Sequence, residues 1–248
     1  DQASVGKKKN NATNVNTGLS YKLQKHTSAF IRFDQSTRVA TLDEEGTGVA
    51  NPTYLKPQEN KSTLVGLKGK NDFIDWKVTY NQVDIKNEIY FEQVGFSMCC
   101  NVNLPKSERK IVNFDINSKL TDSTRLGANL SATQAKFQDG SYNGNDIPWV
   151  PETTASIYVH SRLTDKTSIY LNSSYVGKKY ISNDYANSQD KVKSYLLTDA
   201  SLNYELGSFT LGFDVKNIFD KKYDSFASTW GTYPAAGRTI AAKFKYDF

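Results

Sequence analysis

Apolar and polar residues alternate along segments spread over the whole chain, and this period of two constrains the fold more than any other feature. In the segment 239–248, every even position is apolar or aromatic, and every odd position except Ala241 is polar or charged. Successive side chains of a β-strand point to opposite faces of the sheet. The pattern therefore predicts β-strands with one apolar face and one polar face.

About eleven segments show this alternation, and they predict an all-β, antiparallel fold. They lie near residues 17–23, 27–36, 61–69, 74–80, 112–116, 126–132, 155–163, 169–175, 196–206, 209–215 and 240–248. Short connections alternate along the chain with long ones, and the long ones span roughly residues 37–60, 84–108, 138–152, 177–193 and 219–237. In an antiparallel meander, this order places all short turns at one end and all long loops at the other. Outer-membrane β-barrels have this asymmetry.

The composition agrees with a transmembrane β-barrel and excludes a helical membrane protein. No apolar run approaches the roughly 18 residues that a spanning helix requires. The hydrophobic content of 38% suits a barrel, because only every second strand residue faces lipid. The net charge of +5 is too small to indicate nucleic-acid binding without clustering of the basic residues. A soluble β-sandwich shares the alternation, but it gives no reason for the segregation of loop lengths.

Tyrosines on the predicted apolar faces concentrate at both ends of the strands. Tyr21, Tyr204 and Tyr246 lie near the short turns, whereas Tyr80 and Tyr175 lie near the long loops. Aromatic residues mark the two membrane interfaces of outer-membrane barrels, so these positions predict two interfacial girdles.

Five strings of residues resemble those of the TonB-dependent outer-membrane receptors, and they occur in that family's order. They are Arg38 to Glu44, Asn51 to Glu59, Asp84 to Ile89, Lys216 to Tyr223, and Tyr233 to Arg238, which leads into a terminal strand ending at Phe248. Their proline and glycine residues act first on the backbone, so we interpret the strings as structural rather than ligand-contacting. We expect Arg238 to donate to neighbouring carbonyls or carboxylates, and Gly237 to supply torsional freedom.

The resemblance implies a 22-stranded barrel that encloses a plug, whereas this chain supplies about eleven strands. We therefore expect residues 1–248 to form the C-terminal half of such a barrel, with Asp1 to Asn16 as the end of an extracellular loop. The implied function is TonB-dependent uptake of a ferric siderophore or similar metal chelate in the outer membrane of a Gram-negative bacterium. The implied partners are the N-terminal half with its plug, the TonB complex acting through that plug, and outer-membrane lipid and lipopolysaccharide.

Aromatic and cationic groups on the long loops are the candidates for contact with a planar, anionic chelate. They are Arg38, Tyr142, Trp149, Tyr180, Tyr185, Tyr195, Trp230 and Tyr233. The alternative for each aromatic residue is that it packs the loops together. We expect no resident cofactor, and haem is disfavoured because the span 41–50, where haem receptors of this family carry a histidine, has none.

Two other functions stay open at this point, a passive channel and an outer-membrane hydrolase. The chain has two histidines, of which His26 lies beside a predicted short turn and His160 lies on a predicted polar face. No catalytic group and no metal ligand is assigned. Cys99 and Cys100 are adjacent, so a disulfide between them would be strained. Together with Met98 they could offer soft donors to a thiophilic ion, although two adjacent thiols do not close a site.

Overall fold

The computed structural model describes residues 11–45, 54–94 and 98–247, and these residues form β-structure almost throughout. The fifteen strands are β1 Val15–Gln24, β2 Thr27–Arg38, β3 Gln58–Lys70, β4 Ile74–Lys86, β5 Ile89–Val94, β6 Met98–Asn103, β7 Ser107–Lys119, β8 Thr124–Phe137, β9 Thr153–Arg162, β10 Thr167–Val176, β11 Tyr195–Leu206, β12 Phe209–Lys216, β13 Asp224–Ser228, β14 Gly231–Pro234 and β15 Thr239–Tyr246. A 3₁₀ turn spans Gly140–Tyr142. Within the described residues there is no apolar helix of bilayer-spanning length.

Eleven of the strands form one antiparallel sheet, which confirms the predicted number. Its order is β1-β2-β3-β4-β7-β8-β9-β10-β11-β12-β15, so each strand pairs with its neighbours along the chain, and β1 and β15 are its edges. Short turns and long connections alternate as predicted. All five long connections therefore leave from the same end of the sheet.

The register of the sheet keeps the apolar positions of neighbouring strands opposite one another. One row joins Ile169, Leu202, Phe213 and Ala242 across β10, β11, β12 and β15. The adjacent row is polar and joins Ser168, Asn203, Gly212 and Lys243. Because side chains alternate between faces, a slip of one residue would place lysine and asparagine on the apolar face. The alternation thus fixes both the strands and their pairing.

The five girdle tyrosines lie on the apolar face of the sheet, as predicted. At the long-loop end, Tyr80 lies opposite Val65 and Val112, and Tyr175 lies opposite Ala155 and Leu196. At the other end, Tyr21, Tyr204 and Tyr246 pair with Ala29, Leu211 and Phe209. The two groups are therefore separated by the height of the apolar face.

Several strands are longer than the alternation predicts. β7 begins at Ser107, five residues before the predicted start, and its outward positions there are Glu108 and Lys110, which form an ion pair with an N–O distance of 2.9 Å. Both faces of this end are polar, so the period of two disappears while the main-chain ladder continues. Val15 and Asn16 likewise belong to β1, which corrects the expectation that they end a loop.

Two short hairpins, β5-β6 and β13-β14, lie inside long connections that we expected to lack strands. β6 contains Met98, Cys99 and Cys100. Isolated hairpins of four to six residues show too few alternations to be distinguished from loop sequence. Three of the sequence-based expectations concern positions outside the described residues, namely the first ten residues, the Asn51-Pro52 pair and Phe248.

Leu171 and Asn172 are adjacent in β10, and they lie on the apolar and the polar face of the sheet respectively. If the apolar face meets lipid, we expect Leu171→Lys to lower the free energy of unfolding in a bilayer by roughly 2–4 kcal/mol, because it places a charge in hydrocarbon. Asn172→Lys is the matched control and should change the value much less. Urea titrations of the protein in lipid vesicles measure both variants. Equal effects of the two substitutions would contradict this assignment of the faces.

Candidate functional site

Five long connections leave from one end of the sheet, and their described residues form the candidate site. We name them loop A (39–57), loop B (87–106), loop C (138–152), loop D (177–194) and loop E (217–238). All eight candidate ligand residues lie on or next to these loops.

Loop D holds the assembly together, because it contacts loops B, C and E. The Tyr90 hydroxyl of loop B lies 2.6 Å from Ser182 Oγ. Asn187 Nδ2 donates to the Asp146 carbonyl of loop C at 2.9 Å, and its Oδ1 accepts from the Asp146 backbone N–H at 2.7 Å. The Ser182 backbone N–H donates to the Ala227 carbonyl of loop E at 2.8 Å. Hydrogen bonds to main-chain groups fix loop positions in a way that side-chain packing alone does not.

The conformation of loop D depends on a buried carboxylate. Asp184, only 4% exposed, accepts hydrogen bonds from the Ser188 backbone N–H, the Ser188 hydroxyl and the Gln189 backbone N–H, at 2.9–3.1 Å. These bonds close the bend between Asp184 and Gln189, where Asn187 adopts a positive φ of 54°. Asn tolerates this conformation better than most residues.

The loops fold over the polar face of the sheet. Ile85, Ser107 and Phe137 form one cross-strand row on β4, β7 and β8, and all three are buried. Phe137 belongs to an apolar cluster with Leu104, Ala135, Ile147 and Tyr185, which combines β8 with loops B, C and D. This cluster is a small core above the sheet, and it positions the loops relative to the strands.

Two of the candidate residues, Tyr142 and Tyr185, belong to this cluster. Their ring centroids are 5.4 Å apart, and Tyr185 also packs edge-on against Phe137 at 5.9 Å and Tyr90 at 6.0 Å. Such aromatic contacts stabilise a core by about 0.5–1.5 kcal/mol each. Packing of the loops, the alternative that we gave for each aromatic residue, accounts for Tyr185.

Trp149 and Tyr233 both pack against Phe226. The ring centroids are 5.1 Å apart for Trp149 and Phe226, and 6.0 Å apart for Phe226 and Tyr233. The ammonium of Lys179 lies 3.6 Å from the Trp149 ring centroid, on the ring face. Tyr233 and the nearby Trp230 are largely exposed.

Tyr180 lines a cavity of about 320 Å³ between β8 and loops C and D, which we call the Lys179 cavity. The Lys191 ammonium lies 4.5 Å from the Tyr180 ring centroid. It also forms an ion pair with Glu152 and approaches Asp146 Oδ2 at 3.5 Å. The Glu152 carboxylate, followed by Asp146, raises the pKa of Lys191. Lys191 therefore stays charged and ties loop D to loop C.

Tyr195 lines a second cavity, of about 410 Å³, between loops D and E, which we call the Tyr195 cavity. Tyr195 and Tyr223 stack there with ring centroids 4.5 Å apart. The charged residues that line this cavity are Lys191, Lys193, Lys221, Lys222, Asp190 and Asp224. Lys191 and Lys222 have carboxylate partners in Glu152 and Asp220, whereas Lys193 and Lys221 form no ion pair with the described residues. Lys191 lines both cavities.

Arg38 lies apart from these cavities and closes the turn at the start of loop A. Its guanidinium forms an ion pair with Glu44, and the Glu44 carboxylate also accepts from the Thr41 backbone N–H at 2.9 Å. The Thr41 bond, followed by Arg38, lowers the pKa of Glu44. The first of the five strings is thus a closed turn, and the role of Arg38 as an anion contact stays a prediction.

The last two strings meet at the end of loop E. Asp220 Oδ1 accepts from the Arg238 backbone N–H at 2.8 Å, and this bond, followed by Lys222, lowers the pKa of Asp220. The Arg238 side chain donates to the Ile218 carbonyl at 3.4 Å, as expected. Gly237 is needed for a different reason than torsional freedom, because a Cβ there would lie 2.6 Å from Asp220 Oδ1. Both strings therefore shape the loop.

The two histidines lie apart from the long loops, and His26 lines a cavity with Ser28 and Asp75 at the short-turn end of the sheet. The register places His160 opposite Arg125 and Tyr170, and His26 Nδ1 lies 3.0 Å from the Lys70 carbonyl oxygen, the acceptor of this contact, beside a short turn. Within the described residues, no group of three or more His, Cys, Asp and Glu side chains could hold a metal ion.

Sequence reasoning missed the lysines and Tyr223 that line the cavities. It selected aromatic residues by composition, whereas Lys179, Lys191, Lys193 and Lys221 become relevant through contacts between different loops. A signal existed in the loop D sequence, where four lysines flank Tyr180 and Tyr195 within eighteen residues. Lysines are common on exposed loops, so that signal alone does not indicate a cavity.

Comparison with known proteins gives consistent matches. Residues 1–218 match the family model described as TonB dependent receptor-like, beta-barrel. The chain is 26% identical to the probable TonB-dependent siderophore receptor PiuA of Acinetobacter baumannii over 96% of its own length, and 26% identical to the vitamin B12 transporter BtuB of Vibrio vulnificus over all of it. It covers only 35% and 39% of those two proteins.

A similar fold is found among solved structures. The ferric-catecholate import receptor Fiu of Escherichia coli K12 superimposes with a TM-score of 0.73 and 20% identity, over 95% of this chain and 35% of that one. The eleven-stranded sheet therefore has the fold of part of a larger barrel protein.

We expect Asp184→Ala to loosen loop D, because it removes the carboxylate that accepts the hydrogen bonds of Ser188 and Gln189, at a cost of about 1–3 kcal/mol. Hydrogen exchange followed by mass spectrometry should show faster exchange in loops C, D and E and no change in the strands. Asp190→Ala, six residues further along the same loop, removes an exposed carboxylate and is the matched control. Unchanged exchange in Asp184→Ala would contradict the role given to this carboxylate.

Proposed function

The chain belongs to the TonB-dependent receptor β-barrel family, and from that premise we propose that it forms part of an outer-membrane receptor that takes up a ferric siderophore or similar metal chelate. In this proposal the sheet is barrel wall, with its apolar face toward lipid. The loop assembly faces the outside of a Gram-negative cell. Uptake is active and depends on TonB.

The observation that carries the proposal is the Tyr195 cavity. Its stacked Tyr195 and Tyr223 offer a flat aromatic surface, and its lysines outnumber its carboxylates. Among those lysines, Lys193 and Lys221 are exposed and form no ion pair within the described part of the chain. Aromatic faces and free ammonium groups together suit a planar, anionic chelate.

Among the relatives, PiuA and Fiu are named for siderophores or catecholates, and BtuB for vitamin B12. The two lysines of the Tyr195 cavity that form no ion pair with the described residues favour an anionic ligand over cobalamin. A hydrolase has less support, because His160 lies opposite Arg125 and Tyr170 rather than a carboxylate, and His26 lies at the short-turn end, remote from the long loops. A passive channel is the remaining alternative, and it would show conductance without ligand specificity.

The partners follow from the edges of the sheet. β1 and β15 each have one neighbour in the described sheet, and open strand edges are not stable in hydrocarbon. We propose that further strands of the receptor, in its N-terminal half, close the barrel. A plug carried by that half would then lie against the polar face, where Arg32 pairs with Asp34 at 2.7 Å and Lys77 with Asp115 at 3.6 Å. TonB would act through the plug.

The outer face of the sheet above the girdle tyrosines carries both positively and negatively charged side chains. Lys61, Asp84, Glu108 and Lys136 form one cross-strand row there. Such a row suits the zone of lipopolysaccharide headgroups, which we propose as the environment of this part of the sheet.

The ligand proposal predicts that the double variant Lys193→Met, Lys221→Met binds an anionic chelate at least about tenfold more weakly, because two charge-assisted contacts are lost. Binding of a ferric tris-catecholate, ferric citrate and cyanocobalamin to the receptor in detergent is measured by isothermal titration calorimetry. We expect the wild-type protein to bind one of the two ferric chelates and to bind cyanocobalamin weakly.

Lys166→Met, in a short turn at the opposite end of the sheet, makes the same type of substitution far from the cavity and is the control for position. It should leave affinity unchanged. Tight binding of cyanocobalamin with no ferric chelate bound would contradict the siderophore proposal, and so would equal affinity in the double variant and the wild type.

The proposed closure predicts that this sheet occurs with the rest of a receptor in the membrane. Mass spectrometry of the complex purified from outer membranes should detect N-terminal barrel and plug sequence, joined to this chain or associated with it. Recovery of the 248 residues as a closed, self-contained barrel would contradict the proposal.

A further inference from the structure

Lys179 is a buried cation for which the described part of the chain provides no carboxylate. It is 8% exposed and lines the Lys179 cavity. Its ammonium lies on the face of Trp149, 3.6 Å from the ring centroid. No ion pair or side-chain hydrogen bond of this ammonium is formed with the described residues, although five other lysines of the loops and upper strands have carboxylate partners there.

The two carboxylates of the same cavity are already occupied. Glu152 forms an ion pair with Lys191, and Asp146 lies 3.5 Å from Lys191 and 3.7 Å from Lys136. Lys136 also donates to the Gly144 carbonyl at 2.9 Å. Three lysines therefore share two carboxylates, and the surplus positive charge is on Lys179, the most buried of the three.

A surplus buried ammonium is destabilising unless a group with negative charge or electron density compensates it. The Trp149 ring compensates one side of the ammonium through a cation–π contact. The remaining N–H groups have no protein acceptor among the described residues. Burial also lowers the pKa of Lys179, in contrast to the raised pKa of Lys191.

The surroundings of Lys179 are held in place independently of any ligand. The Trp149 backbone N–H donates to the Tyr180 carbonyl at 3.0 Å, and the Val192 backbone N–H donates to the Lys179 carbonyl at 2.8 Å. Trp149 itself adopts a positive φ of 63°, a conformation that is unfavourable for a bulky residue. The cavity therefore keeps its shape, and about 320 Å³ is enough for a small anion.

We propose that the Lys179 cavity is an oxyanion site, in which Lys179, whose ammonium also contacts the face of Trp149, binds one phosphate or carboxylate group. One such group supplies the negative charge that balances three lysines against two carboxylates. The site differs from the Tyr195 cavity proposed for the chelate, and the inference does not depend on the uptake function. The oxyanion can come from a free solute or from a lipid headgroup, since both carry the same chemistry.

The test uses the receptor isolated from outer membranes with any companion chain retained, placed in nanodiscs of zwitterionic lipid and a phosphate-free buffer. Inorganic phosphate and citrate are titrated separately, and binding is followed by calorimetry and by tryptophan fluorescence. We expect saturable binding of at least one anion. Lys179→Met should weaken it by about tenfold or more, because a charge-assisted hydrogen bond is lost.

Lys178→Met is the matched control, since Lys178 is the adjacent residue, carries the same charge and is exposed. It should change the affinity less than about twofold, well under the tenfold that corresponds to 1.4 kcal/mol. Lys179→Arg keeps the cation and should retain most of the binding. Thermal unfolding provides a second measurement, in which Lys179→Met should be at least as stable as the wild type, because it removes a buried charge without a carboxylate partner.

Absence of anion binding in the wild type, or equal affinity in Lys179→Met and the wild type, would overturn the proposal. Lower thermal stability of Lys179→Met with unchanged affinity would show that Lys179 serves only to pack against Trp149. A repeat in nanodiscs that contain lipopolysaccharide distinguishes the two sources. Loss of phosphate binding there assigns the site to a lipid phosphate, and unchanged binding assigns it to a soluble anion.

Discussion

The structure depends on the strand register. One register must both pair the main-chain hydrogen-bonding groups and keep the apolar side chains on one face of the sheet. Each strand of the large sheet must pair its N–H and C=O groups with its neighbours, and only one parity of pairing keeps apolar side chains together. The row Ile169, Leu202, Phe213 and Ala242 beside the row Ser168, Asn203, Gly212 and Lys243 illustrates this constraint. The loop ends, and hence the candidate site, inherit their positions from this register.

Above the sheet, polar contacts between loops, rather than main-chain ladders, fix the positions of the residues. Loop D is the centre of that network, through Ser182, Asn187 and the buried Asp184. Lysine charges then decide the character of the two cavities. In the Tyr195 cavity they are exposed and suit a chelate in exchange with solvent, whereas in the Lys179 cavity one of them is buried. The same loop therefore presents two environments that differ chiefly in desolvation.

Particular residues show how far sequence reasoning reaches. The alternation at 196–206 and 209–215 predicted β11 and β12 closely, because in each of these strands one face is apolar and the other is more polar. It shortened β7 by five residues, since Glu108 and Lys110 make the outward face of that end polar, like the opposite face at Ser107 and Arg109. Of the eight candidate ligand residues, Tyr180 and Tyr195 line cavities, while Tyr185 packs in a buried cluster. The sequence alone does not distinguish an aromatic loop residue that packs against other loops from one that binds a ligand.

The sequence by itself determined the strand class, the number of strands in the large sheet, the alternation of short and long connections, and the family resemblance. These properties depend on neighbours within a few residues, where the geometry of the backbone links position to face. Only the tertiary structure decided which loops touch, that Lys179 is left without a carboxylate while Lys191 has two, and why Gly237 must be glycine. Those outcomes depend on contacts between residues far apart in the chain, and no local period encodes such contacts.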